Sequence, residues 1–424
     1  MSYNYYRDGT LLNPTAPAGA TIALRGATPA TTYPNLQATV VSNAGVESDK
    51  SDPVSATTLA TPAPYPTMAQ ADKDAIDAIW AASPVSGGRT GGMISVAGPV
   101  CGVYEKAYGT NDGTNPMTTD MHFRVASLTK SFTAMAILMA VDKGLLSLDD
   151  TVDKYLSNVP NGNIITIRML LMHRSGLFHD QADTNYIAKF YGDPTSAWGV
   201  MSSLLLIRRG AVQFQPDTKY DYTNSNYVIL GLILARVNGR ETKSVIENDI
   251  CAPLGLTQTS YPIYPTVDLP APFSHGYAPN LVGQNSDWYR QNPDYLTASG
   301  CMVSTIGDMV KWGKAMRDGT LLSPASHELW KTTFNFIAEA SPAGGPAYSY
   351  GLGMVRLKEW MGHDGSWNGY STALTFHVPS GTIIAVMENA QTTGPPALTA
   401  WSTIMYNIAN HFYPGSADEP NPAA

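Results

Sequence analysis

The chain has 424 residues, 44% of them hydrophobic and 10% aromatic, which is enough for one large folded domain and a smaller one. Its net charge is −8, only 14% of its residues are charged, and it has no cluster of lysines and arginines. This balance excludes nucleic acid and an anionic membrane as expected partners. Three widely spaced cysteines, an odd number, predict buried thiols rather than a disulfide framework or a zinc site.

The chain begins with a segment of about 60 residues that is rich in Thr, Ala and Pro. Residues 5–10 and 36–42 have the composition of β-strands. Residues 27–58 resemble the second half of a fibronectin type III module, so we expect residues 1–60 to form a partial module of this kind. Residues 61–67 then read as a stiff proline-rich linker.

The remainder predicts a second domain over residues 68–413 in which strands near both ends enclose a long helical section. We therefore expect an α/β fold in which the two ends of the domain meet in one antiparallel sheet flanked by helices. A Pro- and Ala-rich tail, residues 414–424, is predicted to be disordered. The predicted helices cover residues 68–82, 227–237, 397–411 and the stretch after Ser127, and the predicted strands cover two segments within 91–108 and residues 351–357, 371–378 and 382–388.

Ser127 and Lys130 open a strongly apolar helix and form the only Ser-x-x-Lys of the chain. The spacing puts both side chains on one helix face. A serine hydroxyl becomes a good nucleophile when a neighbouring base takes its proton, and a lysine can be that base if burial lowers its pKa from about 10.4 towards neutrality. The N-terminus of the helix also offers N–H groups to a developing oxyanion. A capping serine beside a solvated lysine is the alternative interpretation.

Tyr222 and Asn224 lie two residues apart, just before a second apolar helix. A phenol near a lysine can relay the proton of the serine, and we expect the cationic lysine to ease its ionisation. The amide can orient the lysine and bind a substrate carbonyl. A helix cap beside a packed aromatic ring would give the same Tyr-x-Asn pattern.

The third cluster is the run His363-Asp364-Gly365-Ser366, just before the predicted late strands. Gly365 would let a substrate backbone approach a strand edge, and the N–H of Ser366 could complete an oxyanion hole. His363 could donate to the substrate or assist proton transfer. A structural histidine beside tryptophan is the alternative here.

Taken together, the order and wide spacing of the three clusters resemble the serine β-lactamase and penicillin-binding-protein family. That family includes class C β-lactamases, D-alanyl-D-alanine carboxypeptidases and family VIII esterases, which show Ser-x-x-Lys, Tyr-x-Asn and then Lys-Thr-Gly or His-x-Gly. Residues 165–177 and 298–305 also resemble the family stretches LLTHTSGL and ASGGMVST. The resemblance covers about residues 68–412 and implies a β-lactamase-like fold, an antiparallel sheet with flanking helices and a mostly helical subdomain.

The resemblance also implies a role for each matching residue. Ser127 would be the acylated nucleophile, Lys130 its base, and Tyr222 the general acid and base for the leaving group and the deacylating water. Asn224 would hold the substrate and Lys130, and His363 would replace the lysine of the third motif. The N–H groups of Ser127 and Ser366 would form the oxyanion hole, with no metal and no cofactor.

Asp364 departs from the family pattern, because peptidase members carry threonine there. That hydroxyl usually helps to hold the terminal carboxylate of the substrate, which an aspartate would repel unless a cation intervened. We therefore expect a serine hydrolase resembling a D-alanyl-D-alanine carboxypeptidase, acting on peptidoglycan stem peptides and acylated by β-lactams. A carboxylesterase, amidase or β-lactamase of the same fold, acting on small esters or amides, is the alternative.

The organisation of the chain also indicates where the protein acts. No apolar run reaches the ~18 residues of a membrane span, and the start lacks the basic and apolar regions of a signal peptide. A partial fibronectin module without a signal peptide suggests a phage minor tail protein that acts at the bacterial cell wall beside other tail proteins. The alternatives are a cytoplasmic location and a non-catalytic tail protein that uses the fold to dock on the wall.

Overall fold

A computed structural model describes residues 2–7, 10–17, 32–41, 48–50, 54–57, 65–83, 88–279, 285–336, 348–391 and 400–417. The chain divides into two compact units, Met1–Pro64 and Tyr65–Ala424. Residues 61–64 of the predicted linker lie outside the described part, whereas Thr67 forms a β-bridge with Val103 of the second unit.

The first unit contains a four-stranded antiparallel sheet with the order β2-β1-β3-β4. Both predicted strands of this segment fall on strands of the sheet, and the resemblance to a fibronectin type III module stays a prediction. The strands are β1 (Ser2–Arg7), β2 (Thr10–Pro17), β3 (Thr32–Val41) and β4 (Val54–Thr57).

The second unit is built on an eight-stranded antiparallel sheet with the order β11-β12-β13-β14-β15-β16-β5-β6. The remaining strands form two short pairs, β7 with β10 and β8 with β9. In chain order the strands are β5 (Gly91–Gly98), β6 (Gly102–Gly109), β7 (Phe123–Arg124), β8 (Tyr277–Pro279), β9 (Asn285–Asp287), β10 (Val303–Ser304), β11 (Phe334–Phe336), β12 (Tyr348–Gly351), β13 (Val355–Leu357), β14 (Trp360–Trp367), β15 (Tyr370–His377) and β16 (Ile383–Glu388).

Helices surround this sheet and fill the section between its strands. Short 3-10 turns occur at Ala126–Leu128, Val152–Lys154, Asp180–Ala182, Pro293–Tyr295 and Thr297–Ser299, and a π turn at Glu247–Cys251. The α-helices are α1 (Gln70–Ala82), α2 (Thr129–Asp142), α3 (Ile167–Leu171), α4 (Thr184–Gly192), α5 (Val200–Arg209), α6 (Asn224–Asn238), α7 (Thr242–Ile246), α8 (Ile306–Asp318), α9 (Pro324–Thr332) and α10 (Ala400–Phe412).

The central strands of the sheet are buried on both faces, as β16 illustrates. Ile383 and Ala385 belong to the core that also contains α2, α6 and α8, whereas Ile384 and Val386 belong to a second core with α1 and α10. This follows from the two-residue period of a strand, which sends alternate side chains to opposite faces. The predicted fold class, an antiparallel sheet flanked by helices and joined by strands from both ends of the domain, is confirmed.

Two segments differ from their description in the sequence analysis. The third cluster, which the sequence analysis places just before the late strands, is itself part of strand β14, and its glycines and polar residues hide the usual alternation of a strand. At the start of the predicted tail, Ser416 is 4% exposed and its Oγ accepts a hydrogen bond from Trp360 Nε1 at 2.9 Å. Residues 418–424 lie outside the described part.

Two further expectations concern the cysteines and the membrane. Cys101, Cys251 and Cys301 are free and buried, as predicted. Within the described residues, none of the helices has the length and apolar character needed to cross a bilayer.

Candidate active site

Ser127 lies in the 3-10 turn that leads directly into α2. The N–H of Leu128 donates to the carbonyl of Val125 at 3.2 Å, which closes the turn. Ala126, the residue before the serine, has φ +49°, a left-handed conformation that is costly for a residue with a β-carbon. The nucleophile candidate therefore lies on a tight turn at the N-terminus of a buried helix.

Lys130, one turn further along, is completely buried and has three neutral partners. Its Nζ lies 3.0 Å from Ser127 Oγ, 2.6 Å from Asn224 Oδ1 and 2.8 Å from the carbonyl oxygen of Ser299. The amide oxygen and the carbonyl can only accept hydrogen bonds. A neutral amine has two N–H groups for these two oxygens, and its lone pair then remains for the hydroxyl of Ser127.

The surroundings of Lys130 favour that neutral form. Burial lowers the pKa of the Lys130 amine well below its ordinary value of 10.5, and the charge of Asp364 offsets this only in part. The aromatic rings of Tyr222 and Tyr227 lie 4.8 and 5.5 Å from Nζ and keep water away from this side of the amine. The arrangement is that of a general base for Ser127.

Tyr222 lies next to the N-cap of α6, where the side chain of Thr223 accepts from the N–H of Ser225. Its phenol is hydrogen-bonded to Ser127, yet burial raises the pKa of Tyr222 well above its ordinary value of 10.0. The expectation that Tyr222 ionises more easily beside Lys130 is therefore wrong, because burial of the phenol is the largest cause and the charge of Asp364 raises its pKa further. Tyr222 keeps its proton and suits the role of a proton donor.

Asn224 is held in one orientation by a residue that the sequence analysis missed. The Asn224 Nδ2 donates to Gln181 Oε1 at 2.7 Å, so its Oδ1 must face Lys130. Gln181 lies in the 3-10 turn Asp180–Ala182, and no pattern in the sequence marks it. The amide thus orients the lysine, as the sequence analysis predicts for this position.

His363 is the first residue of β14 beyond its pairing with β13 and is only 2% exposed. Its Nδ1 lies 2.5 Å from the carbonyl oxygen of Asp364, so this nitrogen carries the proton, and its Nε2 accepts from the hydroxyl of Tyr350 at 2.9 Å. Burial lowers the pKa of His363 to about 3, so the ring is neutral. Both nitrogens are bound to protein groups, which favours a positioning role over direct contact with the substrate.

Tyr350, on β12, is a second residue that the sequence analysis missed, and a lone tyrosine in a strand gives no signal. Its ring contacts the ring of His173 at a centroid distance of 4.8 Å and that of Tyr222 at 5.9 Å. With its hydroxyl on His363, it connects the third cluster to the second.

His173 is the third missed residue, and it lies inside the stretch 165–177 that carries the family resemblance. Its carbonyl oxygen accepts from the N–H of Asp221 at 2.9 Å, and its Nδ1 accepts from the N–H of Thr223 at 3.2 Å. Its ring lies against that of Tyr222, with the centroids 4.2 Å apart. His173 thus holds the backbone on both sides of Tyr222 and the ring between them.

Gly365 brings β14 into contact with the turn that carries Ser127. A β-carbon at this position would lie 2.3 Å from the carbonyl oxygen of Val125 and 2.6 Å from Thr372 Oγ1. Because β13 pairs only with Trp360, Met361 and Gly362 of β14, the backbone of the later residues on that edge is free of β13, and Gly365 lies against the turn. Ser366 follows and is exposed, and the role of its N–H in an oxyanion hole stays a prediction.

Replacing Gly365 with alanine is expected to lower the rate of Ser127 acylation by about 10²-fold, because the backbone must move by a fraction of an ångström or more. Gly307→Ala is the matched control, since a β-carbon there meets nothing within 4 Å. The rate is measured as labelling of Ser127 by a fluorophosphonate. Equal labelling of the two variants would contradict the close packing of β14 on the turn.

Asp364 is the charged residue of the third cluster. Its side chain is 35% exposed, and burial raises the pKa of its carboxyl to about 6. Its charge acts on Lys130 and Tyr222 alike, so it belongs to the same site. The structure therefore brings together all three predicted clusters.

Known proteins resemble this chain over much of its length. Penicillin-binding protein 4* of Bacillus subtilis is 25% identical over 311 residues, which are 68% of this chain and 66% of that protein. A putative D-alanyl-D-alanine carboxypeptidase of Escherichia coli O157:H7 is 31% identical over 199 residues, 43% of this chain and 45% of that one. The chain thus spans just under two thirds of the first relative and less than half of the second.

Among solved structures, a D-stereospecific amidohydrolase from Streptomyces sp. superposes with a TM-score of 0.69 and 26% identity, covering 82% of this chain and 99% of that one. The family model described as Beta-lactamase matches residues 73–405. The match includes the turn of Ser127, the start of α6 and strand β14. The chain belongs to the β-lactamase family, as the three sequence clusters predict.

Proposed function

We propose that the chain is a serine hydrolase that forms an acyl-enzyme on Ser127. The observation that supports this most directly is the set of partners of Lys130, whose two acceptors leave its lone pair for the hydroxyl of Ser127. Membership of the β-lactamase family agrees with this chemistry. In such a site a base and a nucleophile within hydrogen-bond distance are the minimum requirement.

The reaction follows from the positions of the protons. Lys130 takes the proton of Ser127 while Oγ bonds to the substrate carbonyl carbon, and the N–H groups of Ser127 and Ser366 stabilise the oxyanion. Tyr222 gives its proton to the leaving nitrogen or oxygen as that bond breaks, and it is reprotonated by Lys130. In the second half, water attacks the acyl carbonyl carbon, and its proton passes through Tyr222 to Lys130. The bond between Ser127 Oγ and the acyl carbon then breaks, Lys130 returns the proton to Ser127, and the acid leaves.

The first substrate class we propose is a peptide that ends in D-alanyl-D-alanine, as in peptidoglycan stem peptides. The relative described as a putative D-alanyl-D-alanine carboxypeptidase and the similarity to a D-stereospecific amidohydrolase support a D-configured acyl group. A second candidate is an amide or ester that lacks a terminal carboxylate, hydrolysed by an amidase, carboxylesterase or β-lactamase. The carboxyl of Asp364 in the site favours this second candidate.

The test is the intact mass of the protein after incubation with benzylpenicillin. We expect an adduct on the peptide that contains Ser127, and no adduct on Ser127→Ala. Rapid loss of the penicillin without an adduct would indicate fast deacylation, as in a β-lactamase. Neither adduct nor turnover, combined with no labelling by a fluorophosphonate, would contradict the proposed hydrolase.

We also propose a setting at the bacterial cell wall, as part of a phage tail, supported by the partial fibronectin-like composition of residues 1–60. Gradient-purified particles probed with an antibody against the chain test this setting. Recovery of the chain only in the cytoplasmic fraction would support the alternative location. Wall binding by the intact chain without turnover of any ester, amide or D-alanyl-D-alanine peptide would favour the docking protein.

A further inference from the structure

Asp364 lies on β14, beyond the three residues of this strand that pair with β13. It lies between His363, which is buried, and Gly365, which packs on the carbonyl of Val125 beside Ser127. Its side chain is 35% exposed, so a molecule in solution can reach the carboxylate. Its negative charge also raises the pKa of both Lys130 and Tyr222, so the field of this carboxylate reaches the two groups that would move protons.

This carboxylate has no cationic partner within the described part of the chain. Among the described residues, the basic side chain within 4 Å of this carboxylate is His363, with 3.8 Å between its Nδ1 and Asp364 Oδ1. That ring is neutral, and its Nδ1–H donates to the backbone carbonyl of Asp364 instead. In the neutral form, Lys130 uses its two N–H groups on Asn224 and Ser299. The negative charge of Asp364 is therefore left for a group from outside.

We propose that Asp364 is a binding subsite for a positively charged group of the substrate, an ammonium close to the scissile amide or ester bond. An unpaired carboxylate in a partly desolvated cleft attracts an ammonium and repels a carboxylate. The inference rests on the proposed hydrolase and specifies its substrate. The cation belongs either to the acyl half, as a free α-amine, or to the leaving half, in the place where a peptidase substrate has its terminal carboxylate.

Four matched D-alanine amides test this subsite at pH 7.5, above the pKa of about 6 of the Asp364 carboxyl. N-acetyl-D-alanine propylamide is neutral, and D-alanine propylamide carries the ammonium on the acyl half. N-acetyl-D-alanine 2-aminoethylamide carries it on the leaving half, and N-acetyl-D-alanyl-glycine carries a carboxylate there. We expect kcat/KM for one of the two cationic amides to be at least tenfold higher than for the neutral amide. We expect kcat/KM for the anionic amide to be tenfold lower than for the neutral amide.

In the variant Asp364→Asn, kcat/KM for the preferred cationic amide is expected to exceed that for the neutral amide by about threefold or less. The anionic amide is expected to be hydrolysed with a kcat/KM close to that of the neutral amide. Asp149→Asn removes the same charge from a carboxyl that is 73% exposed and paired with Arg168, and we expect it to keep the wild-type ratios. Labelling by the fluorophosphonate shows that each variant has a folded site. The amides are also tested as competitors of this labelling, so that the preference is measured even where turnover is slow.

The outcomes separate this inference from the hydrolase on which it depends. Labelling of Ser127 without any preference for a cation overturns the subsite alone, and so does a preference that Asp364→Asn leaves unchanged. Absence of both labelling and turnover overturns the hydrolase. Loss of the preference in Asp364→Asn together with its retention in Asp149→Asn supports the subsite, and the preferred amide identifies the half of the substrate that carries the cation.

Discussion

Replacing Lys130 with arginine is expected to reduce the rate of Ser127 acylation by about 10³-fold or more. The guanidinium of arginine does not deprotonate in proteins, so it has no lone pair to take the proton of Ser127. Its planar fork also fits poorly into a space where one nitrogen lies within 3.0 Å of Ser127, Asn224 and Ser299. The measurement is the rate of labelling by a fluorophosphonate, with thermal unfolding to confirm that the variant folds.

The wild-type pH profile gives the same conclusion by a second route. Only the unprotonated amine is a base. The rate of acylation should therefore have its full value above the pKa of Lys130 and fall as the pH drops through that pKa. Burial lowers this pKa well below 10.5, so the profile should reach its plateau far below that pH.

The matched control for Lys130→Arg is Lys143→Arg, the same substitution on an exposed lysine, which should leave the acylation rate unchanged. Acylation by Lys130→Arg at more than a tenth of the wild-type rate would exclude Lys130 as the base.

Replacing His173 with alanine is expected to lower kcat by about 10²-fold with little change in KM. The N–H of Thr223 and the Nδ2 of Asn226 would lose their acceptor, His173 Nδ1, at about 1–3 kcal/mol of stability each. The ring of Tyr222 would lose its closest ring neighbour among the described residues. Misplacement of this phenol affects proton transfer more than substrate binding. Measuring kcat and KM separately therefore tests the prediction.

A conservative variant distinguishes positioning of Tyr222 from general damage to the fold. His173 has φ +55°, a conformation that asparagine tolerates better than most residues, and the amide oxygen of asparagine can replace Nδ1 as an acceptor. His173→Asn should therefore recover part of the lost kcat. Combining His173→Ala with Tyr222→Phe should cost little more than Tyr222→Phe alone. A fully additive loss would mean that His173 acts independently of Tyr222.

How much of this site the sequence could predict depends on how far apart its members lie in the chain. Ser127 and Lys130 share one helix, so their spacing alone predicts that the side chains meet. Asn224 joins them through a tertiary contact, and only its resemblance to a family motif indicated it. Gln181 and Tyr350 have no motif, and only the folded chain brings them to Asn224 and His363.

The protonation state of Tyr222 was the part that sequence reasoning judged wrongly. Proximity to Lys130 suggested an easier ionisation, but burial raises the pKa of the phenol instead. The depth of burial depends on residues such as His173 and Tyr350, which pack around the phenol from distant parts of the chain. A sequence pattern identifies such a group, but the surrounding packing determines its charge.

The pairing of β5 with β16 has a consequence for how the enzyme is made. Residues 91–98 are synthesised early and residues 383–388 late, yet they are paired neighbours inside the sheet. Such contacts between distant segments slow folding, because a long loop must close before they form. Ser127 would emerge from the ribosome long before β14, which completes its site. A growing chain is therefore expected to stay catalytically silent until β14 to β16 have emerged, and a prematurely terminated chain to leave no partial hydrolase.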